Sequence, residues 1–188
     1  MLAYFPPVSE YMVRPIRGHE WREIRALRLK ALKDEAAPMA FAESYEEGAA
    51  QPEEFWQGRA QGSSSDAGPE AGACQFVAIA DGGTWVGTSV ALIEKAGAQD
   101  FEGETIEQSG GHVVGVFLHP EHRGKGVIGR LFDATLDWMR QRGLTRARLY
   151  VHADNVRAQR AYEKAGFAAT GKSVYGSLGP EIEMARAL

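Results

Sequence analysis

Cysteine is almost absent from this chain: Cys74 is the only one in 188 residues. No intrachain disulfide can form, and a reducing compartment is the expected setting. Long apolar runs are missing too, so no membrane-spanning helix is expected. The opening MLAYFPPVSEY has no basic segment and no long apolar stretch. That points away from a signal peptide and toward a soluble cytoplasmic protein. Positive charge is not in excess. Net charge is −4, and no basic patch stands outside one glycine-rich turn, so neither nucleic acid nor a membrane is an expected partner. No internal repeat is visible. Two phosphate-binding patterns are also lacking, the Walker loop and the dinucleotide GxGxxG fingerprint.

What is present is one compact domain's worth of chain, residues 1–188, with 44% hydrophobic residues. Its organising stretch is HPEHRGKGVIG, residues 119–129. It follows the apolar run 113–118 and opens the amphipathic run 127–142, so it reads as strand, turn and helix start. Gly124 and Gly126 free the backbone to turn. The first amides of the helix have no internal partner and carry the positive end of its dipole. With Arg123 and Lys125 beside them, they make a socket for a phosphate or pyrophosphate.

The rest of the chain supplies an α/β frame. Residues 11–17 read as an edge strand because Pro15 cannot donate to a ladder. Residues 20–33 read as a helix on Trp21, Ile24, Leu27 and Ala31, with Arg22, Arg25, Arg28 and Lys33 on its solvated face. In residues 36–48, Met39, Phe41 and Tyr45 either line an acceptor pocket or plug one end of the core. A short helix through Arg59 follows Pro52, anchored by Phe55 and Trp56. Residues 61–73 are small and polar and read as a mobile loop. Strands are expected at 75–81 and 85–94, joined by an Asp-Gly-Gly-Thr turn. Residues 95–110 form an acidic loop around Asp100, either plainly solvated or able to attract a cationic amine. The run 113–118 reads as a central strand, and the helix after the turn buries Val127, Leu131, Ala134 and Trp138. A strand at 146–152, a helix at 156–165 capped by Asn155, and a final hairpin around 176–180 complete the order.

Two motifs resemble the Gcn5-related N-acetyltransferase (GNAT) superfamily. The first is arginine, then glycine three residues on, then glycine or alanine two further. Arg123 and Gly126 match it, while Ile128 stands at the last place and Gly129 one residue later. The second is NxxAxxxYxxxGF, matched by Asn155, Ala158, Tyr162, Gly166 and Phe167. The resemblance implies an α+β fold: a mixed sheet of about six to seven strands, flanked by about four helices, that splays between its fourth and fifth strands. It implies transfer of the acetyl group of acetyl-CoA, as co-substrate and without a metal, to a primary amine of a small molecule or peptide. Transfer is direct, in a ternary complex. A non-catalytic acyl-CoA-binding module on the same fold is the alternative. Dimers are common among such proteins, which leaves a homodimer open.

The resemblance also assigns residues. Main-chain groups of Val116, Phe117 and Leu118 would pair with the pantetheine arm, and one of their amides would face the thioester oxygen. Amides of Arg123, Gly124, Lys125, Gly126, Val127 and Ile128 would hold the pyrophosphate, with the Ile128 side chain a source of crowding. Asn155 would bond the pantetheine arm, and Tyr162 would protonate the departing sulfur. The base stays open between His112, at the position of a glutamate base in histone-modifying relatives, and a water relayed by carbonyls. Tyr150 stands where ribosomal-protein acetylating relatives carry another glutamate. His119 and His122 read as surface residues flanking the turn.

Overall fold

The computed structural model describes residues 11–188. Most of the N-terminal stretch on which the expectation about a leader rested therefore lies outside the described residues. Seven strands form one mixed sheet in the order β1-β2-β3-β4-β5-β7-β6. They are β1 (Tyr11–Pro15), β2 (Ala73–Ala80), β3 (Trp85–Glu94), β4 (Gly110–Leu118), β5 (Arg146–His152), β6 (Ala168–Gly176) and β7 (Gly179–Ala187). Five α-helices accompany them: α1 (Trp21–Ala31), α2 (Tyr45–Ala50), α3 (Glu53–Ser63), α4 (Val127–Gln141) and α5 (Val156–Lys164). The mixed sheet and the α+β class are those expected. β1 is an edge strand, and Pro15 sits at its end.

Two hydrophobic masses sandwich the sheet. On one side Ile24, Leu27 and Ala31 of α1 and Trp56 and Ala60 of α3 pack on Val77 and Phe117. On the other, Phe132, Leu136 and Met139 of α4 pack on Val113, Leu149 and Val151, with Tyr162 of α5 at the margin. Trp138, expected on the buried stripe, is only partly buried, and Arg142 lies over its ring at 4.4 Å. Thr135 takes an inner place instead, its hydroxyl pairing with that of Ser89 on β3 beneath α4.

The extra helix, α2, has a readable cause. Ser44 accepts from the Glu47 amide while the Glu47 carboxylate accepts from the Ser44 amide, a capping box that SYEE announces. Residues 61–73 also differ from the mobile loop expected. Residues 61–63 finish α3, and a 3₁₀ turn follows at Ser65–Ala67. Small polar side chains did not leave this stretch loose. Asp66 accepts from the Gly18 amide at 2.8 Å, Ser64 caps Asp66, and Arg142 donates to the carbonyls of Gly68, Pro69 and Ala71. Phe55, expected as an anchor, is 40% exposed, edge-on to the fully buried Trp56.

β4 and β5 are parallel neighbours paired only at Gly111↔Ala147 and His112↔Arg148. Beyond that apex they diverge into a wedge. The apex is tight because of two glycines. A Cβ on Gly110 would meet the Arg146 carbonyl oxygen at 2.8 Å, and one on Gly111 would meet Met139 Sδ at 2.3 Å. On its other edge β4 breaks register with β3 between Thr88 and Val90, opposite Gly115, whose φ is +61°. The resulting bulge turns backbone groups of residues 115–116 out of the ladder.

Candidate active site

The wedge collects most of the residues singled out from sequence. Val116, Ile128, Ala158 and Tyr162 pack against the same core cluster, so the end of β4, the start of α4 and α5 meet there. Phe117 faces the α1 side and Leu118 the α4 side, leaving their main chain at the wedge. Gly124 and Gly126 both have positive φ, +75° and +77°. Gly126 is the N-cap of α4 and offers no side-chain hydrogen bond, so the first amides of α4 stay open to an outside acceptor. Cβ atoms built on Gly124, Gly126 and Gly129 would meet nothing within 4 Å, so the space over the turn is free. Lys125 is exposed and has no ion pair among the described residues. The Ile128 side chain packs against the core clusters and does not stand free over the turn. These features fit an acetyl-CoA diphosphate.

Arg123 is held rather than free. Its Nε donates to the Leu118 carbonyl at 3.0 Å and its Nη2 to Asp34 Oδ2 at 2.5 Å. Arg157, in the first turn of α5, reaches Asp34 and Glu35 at 3.4 and 3.2 Å. Burial opposes ionisation of Asp34, but the Ala36 amide and Arg123 outweigh it and hold its pKa below the ordinary carboxylate value. The segment after α1 is thus tied to both lips of the wedge. Beneath it lies an open cleft of about 340 Å³ lined by Met39, Asp154 and Asn155 among others. So of the three side chains left open from sequence, Met39 faces this cleft, Tyr45 packs on the core, and Phe41 does both, packing on the core and lining a second, small cavity against β4. Asn155 is buried, and its Oδ1 accepts from the Ala158 amide at 3.2 Å, capping α5 as expected. Tyr162 packs edge-on to Phe132. Its hydroxyl has no hydrogen bond among the described residues, and burial pushes its pKa up to about 12.

At the apex the structure places a polar network. His112 is fully buried, with Phe101 of the β3–β4 loop against its ring at 5.0 Å. Its Nδ1 pairs with Glu94 Oε1 at 2.7 Å, and its Nε2 has no partner. Arg148 bonds Glu94, Asp100, Glu183 and the Tyr150 hydroxyl together. Burial works against Glu94, yet hydrogen bonds from His112 and Arg148 take its pKa down to about 2. Asp100, expected in a solvated or cation-attracting loop, is spent on Arg148 and Tyr150. The reason is topological: the loop folds down over the start of β5.

Sequence reasoning missed Glu181. It lies opposite His152 at the wide end of the wedge, 4% exposed, with Oε2 unpartnered. Burial and the nearby Glu102 carboxylate push its pKa up to about 7. The signal was the run EIE, acidic side chains alternating with an apolar one inside a strand. Arg28 was also misplaced. It is not on a solvated face but folds over Phe41 at 4.3 Å and bonds Glu43 at 3.0 Å. His119 and His122, read as surface residues, bring with Glu121 three potential ligand atoms within 4.8 Å, although the Glu121 side chain is 82% exposed and His122 Nδ1 is paired with the Tyr11 hydroxyl.

Residues 25–167 match the model of the acetyltransferase (GNAT) family. A mycothiol acetyltransferase of Beutenbergia cavernae is 43% identical over 56 residues, which is 30% of this chain but only 18% of that protein. The match thus spans under a fifth of that relative's length. Solved structures agree in fold. A ribosomal-protein-S5-alanine acetyltransferase from Vibrio fischeri has a TM-score of 0.71 at 21% identity, covering 96% of this chain and 94% of its own. A phosphinothricin acetyltransferase from Sinorhizobium meliloti, in complex with acetyl-CoA, has a TM-score of 0.68 at 16% identity, covering 95% and 89%.

Proposed function

This chain belongs to the acetyltransferase (GNAT) family, and from that premise we propose that it carries acetyl from acetyl-CoA to a primary amine of a small molecule or peptide, directly, in a ternary complex. The observation that carries the reading is the wedge. Strands β4 and β5 part after two paired positions, with open amides at the α4 end and Asn155 and Tyr162 on the α5 side. The Arg123 amide, expected in the set, instead donates to the Pro120 carbonyl at 3.2 Å, so amides from Gly124 to Ile128 take the diphosphate, and Lys125 adds a charge free to reach it. Val116, Phe117 and Leu118 offer main-chain groups to the pantetheine arm. The bulge at Gly115 aims an amide at the thioester oxygen, where negative charge develops.

The amine nitrogen attacks the thioester carbon. A C–N bond forms, the C–S bond breaks, and sulfur leaves with the electron pair. Tyr162 donates its phenolic proton to that sulfur. A pKa of about 12 keeps the phenol protonated at neutral pH. The nitrogen gives up a proton, and because alkyl amines have pKa near 10, a base is needed. Glu181 offers a carboxyl poised near neutrality at the wide end, while His112 Nε2 is unpartnered at the apex but buried under Phe101, so it serves only through a relay. Holding both reactants together lowers the barrier by ~7–11 kcal/mol.

The test has two arms. Calorimetry with millimolar acetyl-CoA is expected to register heat, and a thiol-release screen over amines to show free coenzyme A. Absence of heat overturns the reading. Heat without thiol release from any amine makes the chain a binding module instead.

A further inference from the structure

A small cavity on the α1–α3 side of β4 has two unmet needs. Its wall includes Arg28, Phe41, Arg59, Gln75, Thr88 and Gly115. Arg59 is partly buried, one turn after Trp56, and its guanidinium has no hydrogen bond and no carboxylate partner among the described residues. Burial and the nearby Arg28 draw its pKa below the usual arginine value. The one acid nearby, Glu43, is committed to Arg28. Two guanidiniums against one carboxylate leave a net positive charge, which is costly away from water unless an anion answers it.

Gln75 supplies the second need. Its Nε2 donates to the Thr88 hydroxyl at 3.0 Å, and that hydroxyl donates onward to the Phe76 carbonyl at 2.8 Å. The Thr88 proton is therefore used, which fixes the Gln75 amide with its Oε1 outward. That Oε1 is buried and receives no donor. So the same wall asks for an anion at Arg59 and an N–H at Gln75. Asp100, the centre of the acidic loop that suggested a cationic acceptor, is engaged by Arg148, and Glu104 is paired with Lys172.

We infer that this cavity seats the α-amino-carboxylate end of the acceptor: the amine acetylated is that of a free amino acid or a close analogue, its carboxylate on Arg59 and its N–H on Gln75. The inference rests on the acetyl-transfer reading, because Gly115 and Phe117 form both the cavity wall and the edge offered to the thioester. The cavity is small, which suits a compact charged end better than the body of a polyamine or aminoglycoside.

The experiment pairs L-amino acids with their decarboxylated amines in the thiol-release assay, using wild type, Arg59→Gln and Arg59→Lys. Wild type is expected to favour the best amino acid over its amine by at least tenfold in kcat/KM. In Arg59→Gln that ratio falls toward one, mainly through KM, and Arg59→Lys recovers part of it. Arg59→Gln is expected to melt close to wild type, since no hydrogen bond or ion pair is lost, only the distant approach to the Trp56 ring at 6.0 Å. Calorimetry of the same amino acids on coenzyme A-loaded protein is expected to give heat that Arg59→Gln removes. Turnover of amines with no preference for a carboxylate overturns the inference and leaves acetyl transfer standing. Amino-acid heat lost in Arg59→Gln, without thiol release, keeps the cavity assignment and overturns acetyl transfer. No heat and no turnover with any amino acid overturns the inference, as does an unchanged ratio in Arg59→Gln.

Discussion

Tyr162 and Asn155 were legible as residues because the spacing NxxAxxxYxxxGF ties a helix cap to a phenol two turns later. The cap is made. The phenol lies against Phe132, with its hydroxyl unclaimed. Tyr162→Phe keeps the ring packing and removes one proton donor. We expect kcat to fall about 10²–10⁴-fold, with acetyl-CoA affinity by calorimetry unchanged within error. A loss confined to affinity would contradict the acid role. Cys74 does not disturb such an assay: it is buried, and burial pushes its thiol up to about 11, so it holds little thiolate at neutral pH. Arg28 and Arg59 were not legible. A helix wheel distinguishes apolar from charged faces, but it does not say which charged side chain another helix will cover.

Among the elements, the wedge between β4 and β5 depends on its apex. The run 113–118 announced a buried strand, but the two glycines before it gave no periodic signal. Their role is close approach. A Cβ at Gly110 meets a backbone carbonyl of β5, which cannot rotate aside. Gly110→Ala is therefore expected to cost about 1–3 kcal/mol and to raise the KM for acetyl-CoA as the strands separate. Thermal melts and steady-state kinetics check this, and an unchanged melt would show that β5 yields without strain. The helices were read well where an apolar stripe or a cap marked them. α2 has six residues and too short a stripe to see, and only its capping box gave it away.

At the scale of the whole molecule, the apex of the wedge holds a connected network of buried charge. Arg148 joins carboxylates of Glu94, Asp100 and Glu183, each held below its ordinary pKa. Folded carboxylates with lowered pKa bind fewer protons than unfolded ones. Their stabilisation is full above the unfolded value and is lost as pH falls, for Glu94 from about 4.5 toward about 2. Glu181 has the opposite sign. Its folded pKa of about 7 lies above 4.5, so the folded chain binds the extra proton and loses stability as pH rises between those values. Glu181→Gln is thus expected to gain melting temperature relative to wild type as pH rises from 5 to 8, and a constant offset would sink the assignment. Arg148→Met removes the guanidinium that three carboxylates share, leaving Glu94 with His112, Asp100 with Tyr150 and Glu183 with Arg146; it is expected to cost about 3–5 kcal/mol, read as a large drop in melting temperature at pH 7.

The sequence by itself determined the family, the α+β class, the succession of the strands along the chain and the glycine-rich turn at the start of α4. Those features are local: a glycine at a turn, a cap at a helix start and an alternating or helical stripe act within a few residues. Only the tertiary structure decided that Asp100 is spent on Arg148, that His112 is closed over by Phe101, and that Glu181 titrates near neutrality. It also decided that Arg59 and Gln75 face one cavity with no partner. Those outcomes depend on which distant side chains share a low-dielectric space. Electrostatic energy there is set by the distance between charges and by exclusion of water, and neither quantity is written in the order of residues along the chain.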